Sequence, residues 1–111
     1  MEIRNTKIDV NRLSEMHVHA HAAANLLRAL ANEHRLMILC TLIGNEFSVG
    51  ELNARIPLSQ SALSQHLASL REAGLVKTRK EAQTVYYQLM GSEATQLIAV
   101  LQSLYCPELS A

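Results

Sequence analysis

The sequence predicts a mainly α-helical domain with a small β-hairpin wing, a winged helix-turn-helix built to work as a homodimer. Three observations predict it. Ser48 to Leu75 reads as two short helices separated at Pro57 and stopped at Gly74. Directly after Gly74 the apolar pattern changes from helical spacing to alternation. The alternating stretch is basic, with Lys77, Arg79 and Lys80 close together.

The elements follow in order along the 111 residues. Residues 1–10 are polar and charged without a period, and are expected to form a flexible arm. From about Asn11 to Ala31, Met16, Ala20, Ala23, Leu27 and Leu30 recur at spacings of three and four, as on one face of a helix. Asn32 suits the N-cap of a second helix, with Glu33 in its first turn against the positive end of the helix dipole. Leu36, Leu39, Cys40, Leu42 and Ile43 give that helix a mostly apolar surface, and Gly44 and Asn45 end it. Ser48 and Glu51 stand at capping-box spacing. Leu52 and Ile56 share one face of the short helix that follows. Pro57 ends it, because proline lacks a donor and forces its neighbour out of helical geometry. Ser59 caps the next helix, whose Leu63, Leu67 and Leu70 form a buried stripe, and Gly74 supplies the left-handed residue that closes it. Leu75 to Arg79 and Thr84 to Leu89 are the two strands of a hairpin joined by Lys80, Glu81, Ala82 and Gln83. Ser92 is the expected cap of a last helix carrying Leu97, Ile98, Leu101, Leu104 and Tyr105, and Pro107 ends the domain. The domain therefore spans 11–106, with a tail over 107–111.

The second helix of the helix-turn-helix carries the functional signal. Between its buried leucines it presents Gln60, Ser61, Ser64, Gln65 and His66, which are neutral donors and acceptors. A helix built only for water would carry Glu and Lys there. Base edges in a major groove call for short polar and amide groups. His66 has a second reading, as a histidine at the edge of the core. Lys77, Arg79, Lys80 and Gln83 of the wing are placed to reach phosphates or a minor groove, although lysines on a strand edge also discourage unwanted pairing. The first and last helices keep an apolar side with no partner inside so small a domain. They are the expected dimer interface, which would set two recognition helices one DNA turn, roughly 34 Å, apart on a partly palindromic site.

Composition narrows the rest. Ten basic and ten acidic residues cancel, so any DNA affinity is local rather than a property of the whole charge. No apolar run spans a bilayer and the N-terminus lacks the core of a secretory signal, so a cytoplasmic protein without membrane contact is expected. Two cysteines in a reducing compartment rest as thiols. No Ser, His and Asp arrangement and no glycine-rich phosphate loop suggests an enzyme, and no cofactor is expected. His17 and His21 share a helix face while His19 points elsewhere, which leaves a metal site short of ligands; surface histidines are the simpler reading.

Four motifs together resemble the ArsR/SmtB family of small dimeric winged-helix regulators. They are Leu30 to Leu39, Ser48 to Leu52, Leu58 to Leu67, and Leu70 to Val76. The resemblance covers about Ala20 to Cys106. It implies a DNA-binding transcription regulator, and in many members a metal sensor. The family's cysteine metal motif falls where this chain has Ser48, Val49, Gly50 and Glu51. Its other common site uses Asp and His on the last helix, and Ser92 to Tyr105 has neither. Cys40 and Cys106 instead match the HlyU/BigR subgroup, which keeps one cysteine at each of these places. In that subgroup the resemblance implies a thiol pair that answers reactive sulfur or oxidants by forming a disulfide or polysulfide link, with loss of DNA affinity. Such members act as repressors or as anti-silencing activators of virulence or sulfur genes. Read from the residues alone, Cys40 also fits simple core packing beside Leu36 and Ile43. Two other functions compete with the thiol sensor. One is a metal-responsive repressor using His17, His19 and His21; the other is a winged helix that binds protein rather than DNA.

Overall fold

The computed structural model describes residues 10–107. The arm expected over 1–10 lies outside them except for Val10, which already opens the first helix, and the tail lies outside them beyond Pro107. The elements are α1 (Val10–Leu30), α2 (Glu33–Leu42), β1 (Phe47–Ser48), α3 (Val49–Arg55), α4 (Gln60–Glu72), β2 (Val76–Glu81), β3 (Thr84–Leu89) and α5 (Glu93–Tyr105).

Most boundaries follow from local chemistry. The Asn32 side chain accepts from the backbone N–H of His34 and of Arg35, at 2.9 and 3.1 Å, and starts α2. Ser48 and Glu51 form the reciprocal capping box of α3: the Glu51 N–H donates to Ser48 Oγ at 3.1 Å and the Ser48 N–H donates to the Glu51 carboxylate at 2.9 Å. Ile56, just before Pro57, is extended at φ −120° and ψ 123°, as the proline ring requires. The Ala62 N–H donates to Ser59 Oγ at 3.1 Å and starts α4. At the other end Gly74 takes φ 76°. The Leu75 N–H reaches Leu70 O at 2.9 Å and the Gly74 N–H reaches Arg71 O at 3.0 Å, which is the Schellman pattern.

Three expectations are corrected. Ser92 stands at the N-cap of α5 but makes no capping bond from its side chain; its hydroxyl instead accepts from Gln96 Nε2 at 2.9 Å. The hairpin turn is shorter than the four residues expected. Lys80 and Glu81 belong to β2, paired with Val85 and Thr84, so only Ala82 and Gln83 turn, with Ala82 at φ 54°. A third strand, β1, also exists. Two residues are too few to show alternation in sequence, yet Phe47 pairs with Tyr87 and Ser48 with Tyr86, giving an antiparallel sheet of order β1-β3-β2.

The core lies where α2, α3, α4, α5 and the inner side of the sheet meet. Ile38, Leu39, Leu42, Leu52, Leu63, Leu67, Leu70, Val76 and Ile98 are its fully buried side chains. Burying each leucine contributes roughly 1.5–3 kcal/mol. This packing fixes α4 by one face and leaves its other face to solvent. Helix α1 contributes none of the fully buried side chains and has only Leu30 buried, and most of its length is exposed.

Candidate nucleic-acid interface

The position of α4 is set from both ends. Leu63, Leu67 and Leu70 anchor one face in the core. The turn that delivers the helix is clipped by Asn53, whose Nδ2 donates to Leu58 O at 2.7 Å. Sequence reasoning missed Asn53, because a side chain closing a turn five residues ahead has no period of its own. The outward face then carries Gln60, Ser61, Ser64 and Gln65, all exposed. Gln60 with Ser64, and Ser61 with Gln65, stand one helical turn apart and so form a single strip. Among the described residues only Ser61 of these makes a side-chain hydrogen bond, to Ser59 Oγ at 3.4 Å. Apart from Ser61, the strip is a row of unengaged donors and acceptors on a helix anchored in the core.

His66 does not share that strip. It is half-buried, with its ring 5.9 Å from the ring of His34 on α2. Burial first, then the charges of Arg35 and His34, push its pKa below the ordinary histidine value. This is the core-edge geometry, and it ties the recognition helix to α2.

The wing residues divide by side of the sheet. Successive strand residues point to opposite faces. Val76 points into the core, so Lys77, Arg79 and Glu81 share the outer face. Lys77, Lys80 and Gln83 are exposed and make no ion pair or side-chain hydrogen bond among the described residues. Arg79 differs. Its Nη2 lies 2.8 Å from Glu46 Oε1, its Nε donates to Glu46 Oε2 at 3.1 Å, and its Nη1 meets Glu81 Oε2 at 2.8 Å. The guanidinium also lies over the Tyr86 ring, 4.7 Å from its centroid. Gln88 Nε2 donates to Glu46 Oε2 at 3.1 Å and holds the carboxylate from the sheet side. The Arg79 hydrogen bond keeps Glu46 below the usual carboxylate range, and Glu46 ahead of Glu81 raises Arg79 further above its ordinary value. Nothing in the sequence pointed to Glu46, which stands 33 residues before Arg79. It comes beside Arg79 because β1 pairs with β3.

The two cysteines lie on elements that pack together. Cys40 is in the last turns of α2 and Cys106 is the C-cap of α5, and α2 and α5 are in contact. Both are half-buried free thiols. Burial raises the Cys40 pKa, and the charge of a Cys106 thiolate raises it further. His17, His19 and His21 are exposed on α1. The Asn25 amide lies 3.2 Å from His21 Nε2. Among the described residues no three His, Cys, Asp or Glu side chains gather closely enough to hold a metal ion. No helix among them is long and apolar enough to cross a membrane.

Comparison with known proteins agrees with this geometry. Residues 32–78 match the family model of bacterial regulatory proteins of the arsR family. The transcriptional activator HlyU of Vibrio cholerae is 60% identical over 94 residues, covering 85% of this chain and 87% of that protein. The biofilm growth-associated repressor of Xylella fastidiosa is 39% identical over 107 residues, covering 96% and 94%. A solved structure described as reduced HlyU from Vibrio cholerae superposes with a TM-score of 0.77 at 60% identity, covering 83% of this chain and 97% of that one. The chain therefore belongs to the ArsR family of bacterial regulatory proteins, as a DNA-binding transcriptional regulator of the HlyU and biofilm-repressor type and not an enzyme.

Proposed function

We propose that this regulator is a cytoplasmic homodimer that binds a partly palindromic double-stranded operator and releases it when Cys40 and Cys106 become linked. Gln60, Ser61, Ser64 and Gln65 meet base edges or phosphates in the major groove, His66 steadies that helix from its inner side and reaches the backbone beside it, and Lys77, Lys80, Gln83 and Arg79 serve the wing. The observation that carries the switch is the packing of α5 on α2, which places the two thiols on facing elements within electrostatic reach. That a related structure is described as reduced HlyU supports a redox reading.

A direct disulfide takes two electrons and two protons from the thiols, makes one S–S bond and reduces the oxidant by two electrons. With a polysulfide, each thiolate attack makes one S–S bond to a sulfane sulfur, breaks one S–S bond of the polysulfide and expels sulfide; the retained sulfur lengthens the bridge, which tolerates a wider gap between the two residues than a disulfide does. Burial disfavours the Cys40 thiolate, which slows its attack.

Helix α2 packs on both α4 and α5. A bridge between α2 and α5 thus biases the spacing of the two recognition helices, and DNA affinity falls by the difference in cost between the two spacings. The relatives include both an activator and a repressor, so the sign of the transcriptional effect follows from where the operator lies. Operator binding by the wild type and by Cys40→Ser, before and after polysulfide, tests the switch. The wild type should lose affinity and Cys40→Ser should keep it; equal loss in both ends the thiol reading. Mass spectrometry of the treated wild type reads the number of sulfur atoms in the bridge.

A further inference from the structure

Arg79 is the wing's most elaborately held side chain, and its partners are acidic. Two carboxylates, Glu46 and Glu81, flank one guanidinium at 2.8 Å each. The outer face of the wing therefore presents an arginine whose charge is already answered, beside Lys77, whose charge is not; Lys80, likewise without an ion pair, lies on the other face of the strand. A phosphate approaching Arg79 meets Glu46 and Glu81 as well. Glu46 is also held independently, by the Gln88 amide at 3.1 Å. Departure of the Arg79 guanidinium would leave the Glu46 carboxylate with its Gln88 hydrogen bond. The pair is thus built to open and close without disturbing the sheet. The Arg79 side chain is 45% exposed, so it has a path outward.

We propose that Glu46 is a latch on the wing: it holds Arg79 back from DNA, and the wing engages fully only when Arg79 exchanges the Glu46 carboxylate for a backbone phosphate. Glu46 is a positioning residue that acts through Arg79 and itself touches no DNA. The proposal rests on the reading that the wing meets DNA. It adds that DNA affinity is set below what the wing's own cations would give, with Glu46 as the residue that sets it. The exchange swaps one ion pair for another, so the effect on affinity is the modest one that an exposed pair supports.

The test measures binding to a fluorescent 30-base-pair duplex selected by the wild-type protein from a random pool, as a function of salt. Glu46→Gln keeps a carbonyl acceptor for Gln88 and removes the charge. It should bind about two- to fivefold more tightly than the wild type at low salt, the range that a released exposed ion pair supports. The logarithmic salt slope should steepen by about one for each wing engaged. In an Arg79→Ala background the same change should do nothing, which a merely structural glutamate would not satisfy. Glu81→Gln, at the hairpin tip, should move affinity in the same direction by less, and it serves if Glu46→Gln does not fold. Equal or weaker binding by the folded single variants with an unchanged slope overturns the latch while leaving DNA binding intact. If the wild type selects no duplex, the DNA reading itself fails and the latch falls with it.

Discussion

For His66 the sequence leaves two readings, a DNA contact on the helix surface and a histidine at the edge of the core. Its ring is half-buried against His34, the geometry of the second reading. The consequence is a pH dependence with a definite sign. The folded state prefers the neutral ring, so its pKa is depressed relative to the unfolded chain. Above the ordinary histidine value of about 6.5 the ring is neutral in both states and the full stability is present. As pH falls through the window below that value, the unfolded chain takes up the proton first and stability declines, until the folded pKa is passed. The melting temperature should therefore rise with pH on the acid side of about 6.5, and His66→Gln should flatten that rise. An identical profile in the variant would show that the ring is not the group responsible. Arg79 teaches the same lesson from the surface. Its charge was legible, and its partner was not, since Glu46 reaches it only through a strand pairing too short to announce itself.

Secondary-structure elements were legible wherever one residue and its near neighbours decide the outcome. Asn32, Ser48, Ser59 and Gly74 each end or start a helix by a bond spanning two to five residues, and each does what its side chain, or lack of one, dictates. Ser92 failed as a cap because Gln96 competes for its hydroxyl. Gly74 permits a clean test of how much α4 depends on its stop. It holds φ 76°, yet a methyl group built on it would meet no atom within 4 Å. Space is therefore not the reason for glycine; backbone conformation is. Gly74→Ala should cost about 1 kcal/mol. For a domain near 100 residues that corresponds to a fall of roughly 4–8 °C in Tm, readable by thermal melting. An unchanged Tm would mean that the closing bonds from Gly74 and Leu75 can be remade with an ordinary residue.

At the scale of the molecule, one feature of the single chain calls for a second. The radius of gyration is 16.6 Å. A globule of this length would have one near 13 Å. The excess comes from α1, which runs beyond the body. Along it Val10, Leu13, Met16 and Leu27 are exposed, and along α5 so are Val100, Leu104 and Tyr105, at 56, 67 and 80%. Scattered exposed apolar residues are ordinary, but two stripes at helical spacing on the first and last helices are not. Met16, Leu27, Leu104 and Tyr105 belong to the periodicity legible in the sequence, and Val10, Leu13 and Val100 do not; which side of each helix the core would leave free depends on how α2 and α5 pack. Covering these stripes with a second copy would bury them and would also fix the separation of two α4 helices, without which one DNA turn cannot be spanned. Sedimentation should accordingly give a mass twice the 12.3 kDa of the chain. Leu27→Asp combined with Leu104→Asp should give a folded monomer, since neither side chain is in the buried core. That monomer should bind the operator far more weakly, because it meets only one half-site at a time. A wild-type protein that sediments as a monomer at micromolar concentration, or a double variant that stays dimeric, would remove α1 and α5 as the interface and leave the stripes to another partner.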